Sequence, residues 1–441
     1  MGHRKARGEG SPRAFPHPGA RRRWPRGAAA RILCPMRAGP LIAAALIAPA
    51  AAHAQSTAPL RSVTRAEAIA AADTAGSRAL LARTDTAFAN ALARIASAYP
   101  NPALAASYSK SLPQYHVSVD QPVEYPWMRS ARSDAAEQFR RAALYRNALE
   151  LASLEVETDT LYTATLAAAA HARLSRLTAI ASDSLLTLAR VRRDAGDASD
   201  LDVELAAVNA GQAENASAAD SLAALAVLLE LQRVMGLPAD RPSITPADSL
   251  RGALSIAPAA VPADSTVAPL AIAAAQANVH GAERALKTEV NSVFATPSVF
   301  LGVEWGDATQ PGNLPTFGIS LPLPIWSARS GEIAAARAGL ARAQQEYVRA
   351  KRDNDAAVAQ ARRELESARA RVARDERVLA SARRVAAMAL TAYAEGAAPL
   401  PTVLEAQRTA RDAFGRYVDD LAAEEIAAAL LRLRTLTAPL P

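Results

Sequence analysis

Aromatic side chains are scarce, 20 in 441 residues, and Cys34 is the single cysteine. One cysteine excludes an internal disulfide framework and a thiolate metal cluster. Of six histidines, His3, His17 and His53 fall in the first 54 residues. His116, His171 and His280 are scattered through the rest, without metal-site spacing. The chain also lacks an HExxH pair, a GxxxxGK loop and a Gly-x-Ser-x-Gly elbow, so it does not read as an enzyme and no cofactor is expected. What it has in quantity is alanine, within a hydrophobic fraction of 50%. Low aromatic and high alanine content predict long helices packed closely through small side chains.

The net charge of +7 misleads until it is divided along the chain. Residues 1–54 hold ten Arg or Lys and one acid, Glu9, which leaves 40 basic and 42 acidic residues beyond them. The body is slightly acidic, and nucleic acid is not an expected partner. From Met36 the sequence MRAGPLIAAALIAPAAAHAQ has a positive start at Arg37, an apolar run from Leu41 to Ala52 and small residues at Ala52 and Ala54. That pattern predicts a secretory signal peptide cleaved between Ala54 and Gln55. Its apolar run is too short to span a bilayer as a mature helix. The Arg- and Pro-rich residues 1–35 read as an N-terminal extension.

Proline maps the exported chain, because an interior proline costs a helix about 3 kcal/mol. None occurs from Trp127 to Leu237 or from Trp326 to Ala398. Long helices are therefore expected over about Trp127–Ala195 and Trp326–Glu395, each roughly 100 Å long at 1.5 Å per residue. Leu174, Leu177, Ala181, Leu188 and Val191 give the first an apolar seam. In the second, the seam is Leu365, Ala368, Val372, Leu379, Ala382, Ala386, Ala389 and Tyr393, interrupted by Asp375. Shorter helices are expected from Ser62 to Ala98, Ser199 to Met235, Val267 to Glu289 and Leu400 to Arg434. Thr64 and Glu67 open the first of these at capping-box spacing. Six prolines between Gly236 and Pro269 read as an irregular linker.

Either side of that linker the chain repeats. Each half has a pair of short strand-like segments, a long helix, a glycine corner and a returning helix. Pro122 and Pro322, Gly196 and Gly396, Val203 and Val403, and Ala206 and Ala406 match at an offset of 200. The domains are accordingly residues 1–54 (extension and signal peptide), 55–236 (first repeat), 237–269 (linker) and 270–441 (second repeat). The strand-like segments are Pro102–Ser109 with Gln114–Val123, and Pro297–Trp305 with Leu314–Ile325. Tyr115, Val117 and Val119 alternate, as do Phe317, Ile319, Leu321, Leu323 and Ile325, with Gly318 and Ser320 opposite. Half of the chain's 20 aromatics cluster here: Tyr99, Tyr108, Tyr115, Tyr125, Trp127, Phe294, Phe300, Trp305, Phe317 and Trp326. Such lengths and girdles suit strands of a membrane barrel facing outer-membrane lipid. Four strands cannot close a barrel, so copies must join: two would give eight strands, three would give twelve.

In NPAL (Asn101–Leu104), GISLPLPIW (Gly318–Trp326), the paired glycine corners and the tandem repeat, the exported chain resembles the TolC family of outer-membrane efflux proteins. DQPVEYPWMRSAR (Asp120–Arg132) resembles the CzcC-like heavy-metal branch, which has a glycine-lysine-arginine run where this chain has Trp127, Met128 and Arg129. The resemblance implies a mainly α fold with a small β part: a homotrimer whose twelve-stranded outer-membrane β-barrel continues into a periplasmic α-barrel. It implies the exit duct of a tripartite pump, with a periplasmic adaptor (membrane fusion) protein and an inner-membrane efflux transporter as partners. Carried over by position, the docking and gating tips are Arg193, Asp194, Gly196, Ser199 and Leu201, and Tyr393, Glu395, Gly396, Leu400 and Val403. Asp194, Asp197, Asp200 and Asp202 crowd the first tip and, repeated threefold, would form an acidic ring. A type I secretion duct and a periplasmic coiled-coil adaptor or scaffold are the competing readings, and the cargo stays open among metal ions, drugs, lipids and polypeptides.

Overall fold

The computed structural model describes residues 60–250, 268–293, 296–325 and 327–437. The signal peptide with Ala54 and Gln55, Cys34, Phe294, Trp326 and the centre of the proline-rich segment lie outside the described residues.

Thirteen elements follow one another among the described residues: β1 (Arg61–Val63), α1 (Arg65–Ala75), α2 (Ser77–Ser97), β2 (Ala103–Tyr108), β3 (Tyr115–Pro122), α3 (Pro126–Asp194), α4 (Asp200–Val234), β4 (Ile244–Pro246), α5 (Leu270–Asn291), β5 (Ser298–Trp305), β6 (Leu314–Ser320), α6 (Ser330–Ala394) and α7 (Leu400–Thr435). The long helices α3 and α6 have 69 and 65 residues, about 100 Å each. Pro126 opens α3 at a position where no intrahelical N–H is required.

Four expectations change. The helix expected over Ser62–Ala98 is two, α1 and α2, parted at Gly76, whose φ of −61° and ψ of 135° leave the helical region. A Cβ on Gly76 would lie 2.3 Å from the Ala72 carbonyl oxygen, and one on Gly236 would lie 2.5 Å from that of Ala75. Both glycines are therefore set by the close abutment of the α1–α2 break and the end of α4. The expected α3 seam also shifts: Leu177 and Val191 are exposed, while Ser175, Ser182, Leu185, Leu186 and Ala189 are buried. Small and hydroxyl side chains let the helices approach. Two of the buried hydroxyls donate back to their own helix, Thr158 to the Leu154 carbonyl and Thr165 to that of Leu161, both at 2.8 Å, while Thr163 donates to Glu425 of α7. The last strand stops at Ser320, so Leu321, Leu323 and Ile325 are exposed outside it. Finally, the proline-rich segment contains β4, which pairs in parallel with β1.

The α6 seam follows the sequence pattern, with Leu365, Ala368, Val372, Leu379, Ala382, Ala389 and Tyr393 buried and Ala386 half-buried. The Thr64–Glu67 capping box forms.

Two strand pairs, each followed by helices, lie side by side. The four-stranded antiparallel sheet runs β2-β3-β5-β6, with two strands from each half of the described chain. Next to the sheet the helices lie in the order α2-α3-α5-α6, and toward the hairpin tips in the order α4-α3-α7-α6. Shorter helices meet end to end along the long ones: Leu270 at the start of α5 donates its N–H to the Leu436 carbonyl just beyond α7. In every row α6 or β6 is one edge, and α2, α4 or β2 is the other.

Candidate functional site

The hairpin tips are built by glycine. Gly196 and Gly396 take φ of 84° and 78°, a left-handed conformation that costs a residue with a Cβ about 1–2 kcal/mol. Each reverses the chain after a long helix. Asp197 and Ala397 then donate their N–H groups back to the Arg192 and Ala392 carbonyls, both at 2.8 Å. Ser199 caps α4 in a box with Asp202. Pro399 is the N-cap of α7, and Pro401 stands in its first turn.

The two tips are joined. Arg192 donates to the Tyr393 carbonyl at 2.6 Å and lies 4.7 Å from the centre of the Tyr393 ring. Tyr393, Leu400 and Val403 are buried in one cluster with Leu185, Leu186, Ala189, Val203 and Ala206, which locks both hairpins together. Arg192 went unnoticed in the sequence because no spacing rule connects it to a carbonyl 201 residues away. Leu201 and Glu395 are exposed at the corner surface. The four tip aspartates are not equivalent. Asp194 pairs with Arg193 at 2.7 Å, Asp200 lies 3.9 Å from the same arginine, and Asp202 is occupied in the cap. Among the described residues, no three His, Cys, Asp or Glu side chains converge as a metal site.

At the other end the sheet has two unlike faces. The register aligns Leu104 with Val119, Val119 with Leu301 and Leu301 with Phe317 across all four strands. On the same face lie Tyr108, Tyr115, Val117, Val299, Val303, Trp305 and Ile319, so it is apolar apart from Gln121 near the helix end of β3. Phe317 and Ile319 are 83% and 75% exposed, far more than a water-facing sheet of one chain would leave uncovered. The rings of Tyr108, Tyr115 and Trp305 follow one another at 5.3 and 5.6 Å along its end near the strand loops. On the opposite face lie Ser107, His116, Ser118, Asp120, Ser298, Glu304 and Thr316, with His116 3.3 Å from Glu304 and Ser298 donating to Asp120 at 3.0 Å. Phe300, grouped by sequence with the apolar set, belongs to this face: its ring covers Gly318, where a Cβ would lie 2.5 Å from it. No described helix is long and apolar enough to cross a membrane; the sheet is the apolar surface that can.

The junction between sheet and helices explains the PWMRSAR segment. Arg129 donates to the Ser97 carbonyl at 3.0 Å, and Arg132 donates to those of Ala96 and Ala98 at 2.8 and 3.0 Å. Two guanidinium groups thus satisfy the bare C-terminal end of α2. Arg132 also pairs with Glu124 at 2.8 Å. Midway along α3, Arg65 pairs with Asp159 at 2.9 Å and Glu425 at 2.6 Å, while Arg432 reaches Asp159 at 2.9 Å. Burial alone would lower the Arg65 pKa, but Glu425 and Asp159 outweigh it and hold it raised. Beside them Tyr162, fully buried, donates to the Val63 carbonyl at 2.9 Å and pairs with Asp248. Sequence reasoning missed this cluster, whose members come from α1, α3, α7 and the linker.

Residues 308–438 match the family model for outer membrane efflux proteins. No curated protein sequence matches the chain. Among solved structures, a membrane protein from Pseudomonas aeruginosa superposes with a TM-score of 0.73 at 18% identity, over 84% of this chain and 93% of that one. The outer membrane protein VceC of Vibrio cholerae gives 0.70 at 15%, over 84% and 95%. The CmeC outer membrane channel of Campylobacter jejuni gives 0.73 at 12%, over 84% and 85%. These similarities do not single out the heavy-metal branch. Residues 308–438 thus carry the outer membrane efflux protein signature, and the fold of the described chain is that of TolC-type outer-membrane channels.

Proposed function

We propose that the chain assembles as a homotrimer into the outer-membrane exit duct of a tripartite efflux system, passing solutes that an inner-membrane transporter delivers through a periplasmic adaptor. The observation that carries this reading is the sheet: four strands, one apolar face, one polar face, and β2 and β6 both unpaired on their outer sides. Hydrocarbon does not tolerate open strand edges, so β6 of one copy pairs with β2 of the next. Three copies give twelve strands with the polar face inward around an aqueous lumen. The same closure brings α6 against the neighbour's α2 near the sheet and against its α4 near the tips, and continues the lumen through a helical wall.

The duct is passive: nothing in it is asked to bind cargo tightly, and the transporter supplies the energy. A groove of about 1050 Å³ between the two hairpins, lined by residues of α3, α4 and α7, opens above the tips. Together with the exposed corner residues Arg193, Asp194, Leu201 and Glu395 it supports docking of an adaptor at this end. Asp197 and Asp200, neither held by a close ion pair, form an acidic rim when repeated threefold and favour cations there. A coiled-coil adaptor is the weaker reading, because both repeats contribute equally to one membrane-type sheet.

Cell fractionation and a reconstitution test the proposal. The expected result is a heat-modifiable trimer in the outer membrane that makes lipid vesicles permeable to small solutes. A monomer in the periplasmic fraction would overturn it. Single-channel recordings of an Asp197→Ala/Asp200→Ala double variant are expected to show reduced cation preference.

A further inference from the structure

In the seam between α6 and α7, Glu424 and Asp420 each accept from an arginine, whereas the buried Oδ2 of Asp375 has no hydrogen-bond partner. Glu424 is fully buried, accepts from Arg369 Nε at 3.3 Å and leaves Oε2 without a partner. About one turn nearer the tips, Asp420 accepts from Arg371 Nε at 2.6 Å. Asp375, next along α6, faces Asp420 across the seam, and its buried Oδ2 has no hydrogen-bond partner. Around the pair stand Arg371 and Arg374 on α6 and Arg416 on α7. From α3, on the far side of α7, His171 is engaged by Asp419 at 2.8 Å. Burial first, and then Asp420, raise the pKa of Asp375 above the ordinary carboxylate value, against a smaller opposing pull from Arg416 and Arg374.

We propose that Asp375 and Asp420 form a proton-operated latch in the second hairpin: sharing a proton draws α6 and α7 together, and losing it leaves two facing carboxylates that loosen the seam. A protonated Asp375 gives Asp420 a hydrogen-bond donor and relieves the orphaned oxygen. Ionised, it faces a like charge in a partly desolvated place. The sign follows from the raised pKa. At pH values where the unfolded chain has already lost this proton the folded chain still holds it, so the seam is tightest in acid and weakens as pH rises through the folded value. The latch rests on the α6–α7 contact and not on the duct reading, so each can fail without the other.

Backbone hydrogen exchange of the full-length detergent-purified protein at pH 4 and pH 8, corrected for intrinsic rates, tests it. Protection of α6 and α7 around residues 372–379 and 416–421 is expected to fall about tenfold or more at pH 8, while the tip cluster around Leu185 and Ala189 holds steady. Asp375→Asn keeps the shape and removes the charge, so its seam is expected to stay protected at both pH values; Asp420→Asn is expected to flatten the dependence likewise. A wild-type seam equally protected at both pH values would overturn the latch even if neither variant folds, and so would an unchanged pH dependence in Asp375→Asn.

Discussion

Arg65 is one-quarter exposed, yet its partners Asp159 and Glu425 are almost wholly buried. Replacing Arg65 by Ala takes one guanidinium from two buried carboxylates but leaves Asp159 paired with Arg432 and Glu425 bonded to Thr163, so the expected loss is that of charge-assisted hydrogen bonds, about 1.5–3 kcal/mol by denaturant titration. Arg349→Ala, which removes an exposed pair with Asp353, is expected to change stability by less than about 1 kcal/mol in the same assay. Glycines separate in a similar manner. Gly396→Ala forces a Cβ into the left-handed region and is expected to cost about 1–2 kcal/mol. Gly211→Ala, inside α4 with open space around it, is expected to add about 0.5–1 kcal/mol. Of these residues, sequence exposed only Gly396, because a glycine after a long apolar-periodic helix marks a corner. Arg65 is one arginine among many until α3 and α7 bring it two acids.

Helices and strands were largely legible as elements. Proline-free stretches delimited α3 and α6 to within a few residues, since the cost of an interior proline is local and independent of what the helix packs against. Alternation marked β3 and β6, and paired strand-like segments with clustered aromatics marked β2 and β5, yet neither could say which alternate residues share a face across strands, because that depends on register. Register puts Phe300 over Gly318 and Phe317 on the apolar face. Phe317→Arg is therefore expected to cost about 2–4 kcal/mol of membrane assembly, an effect typical of a cation placed on the lipid side of a barrel. Ser107→Arg, on the polar face, is expected to assemble normally; the yield of heat-modifiable trimer distinguishes the two. The α3 seam was misread for a related reason. Leucine spacing marked Leu177 and Val191, whereas packing selected Ser175, Ser182 and Ala189, whose small size allows two helices to approach.

For the whole molecule, all three rows of elements end on the same sides, with β6 and α6 at one edge and β2, α2 and α4 at the other. Deleting the β5–β6 hairpin, residues 298–320, is expected to abolish the trimer and vesicle permeability, because it removes one of the two edges that must meet; gel mobility without heating and a solute-release assay check this. Sequence by itself determined the lengths of the long helices, the positions of the strands and the glycine corners. Each of these follows from local backbone preference and side-chain periodicity, which act over a few residues. Tertiary structure alone decided that Arg192 clasps Tyr393, that Arg129 and Arg132 close the end of α2, and that Asp375 meets Asp420 with no hydrogen-bond partner on its buried Oδ2. Those are contacts between residues far apart in the chain, created when the helices pack, and no rule of spacing along one segment encodes them.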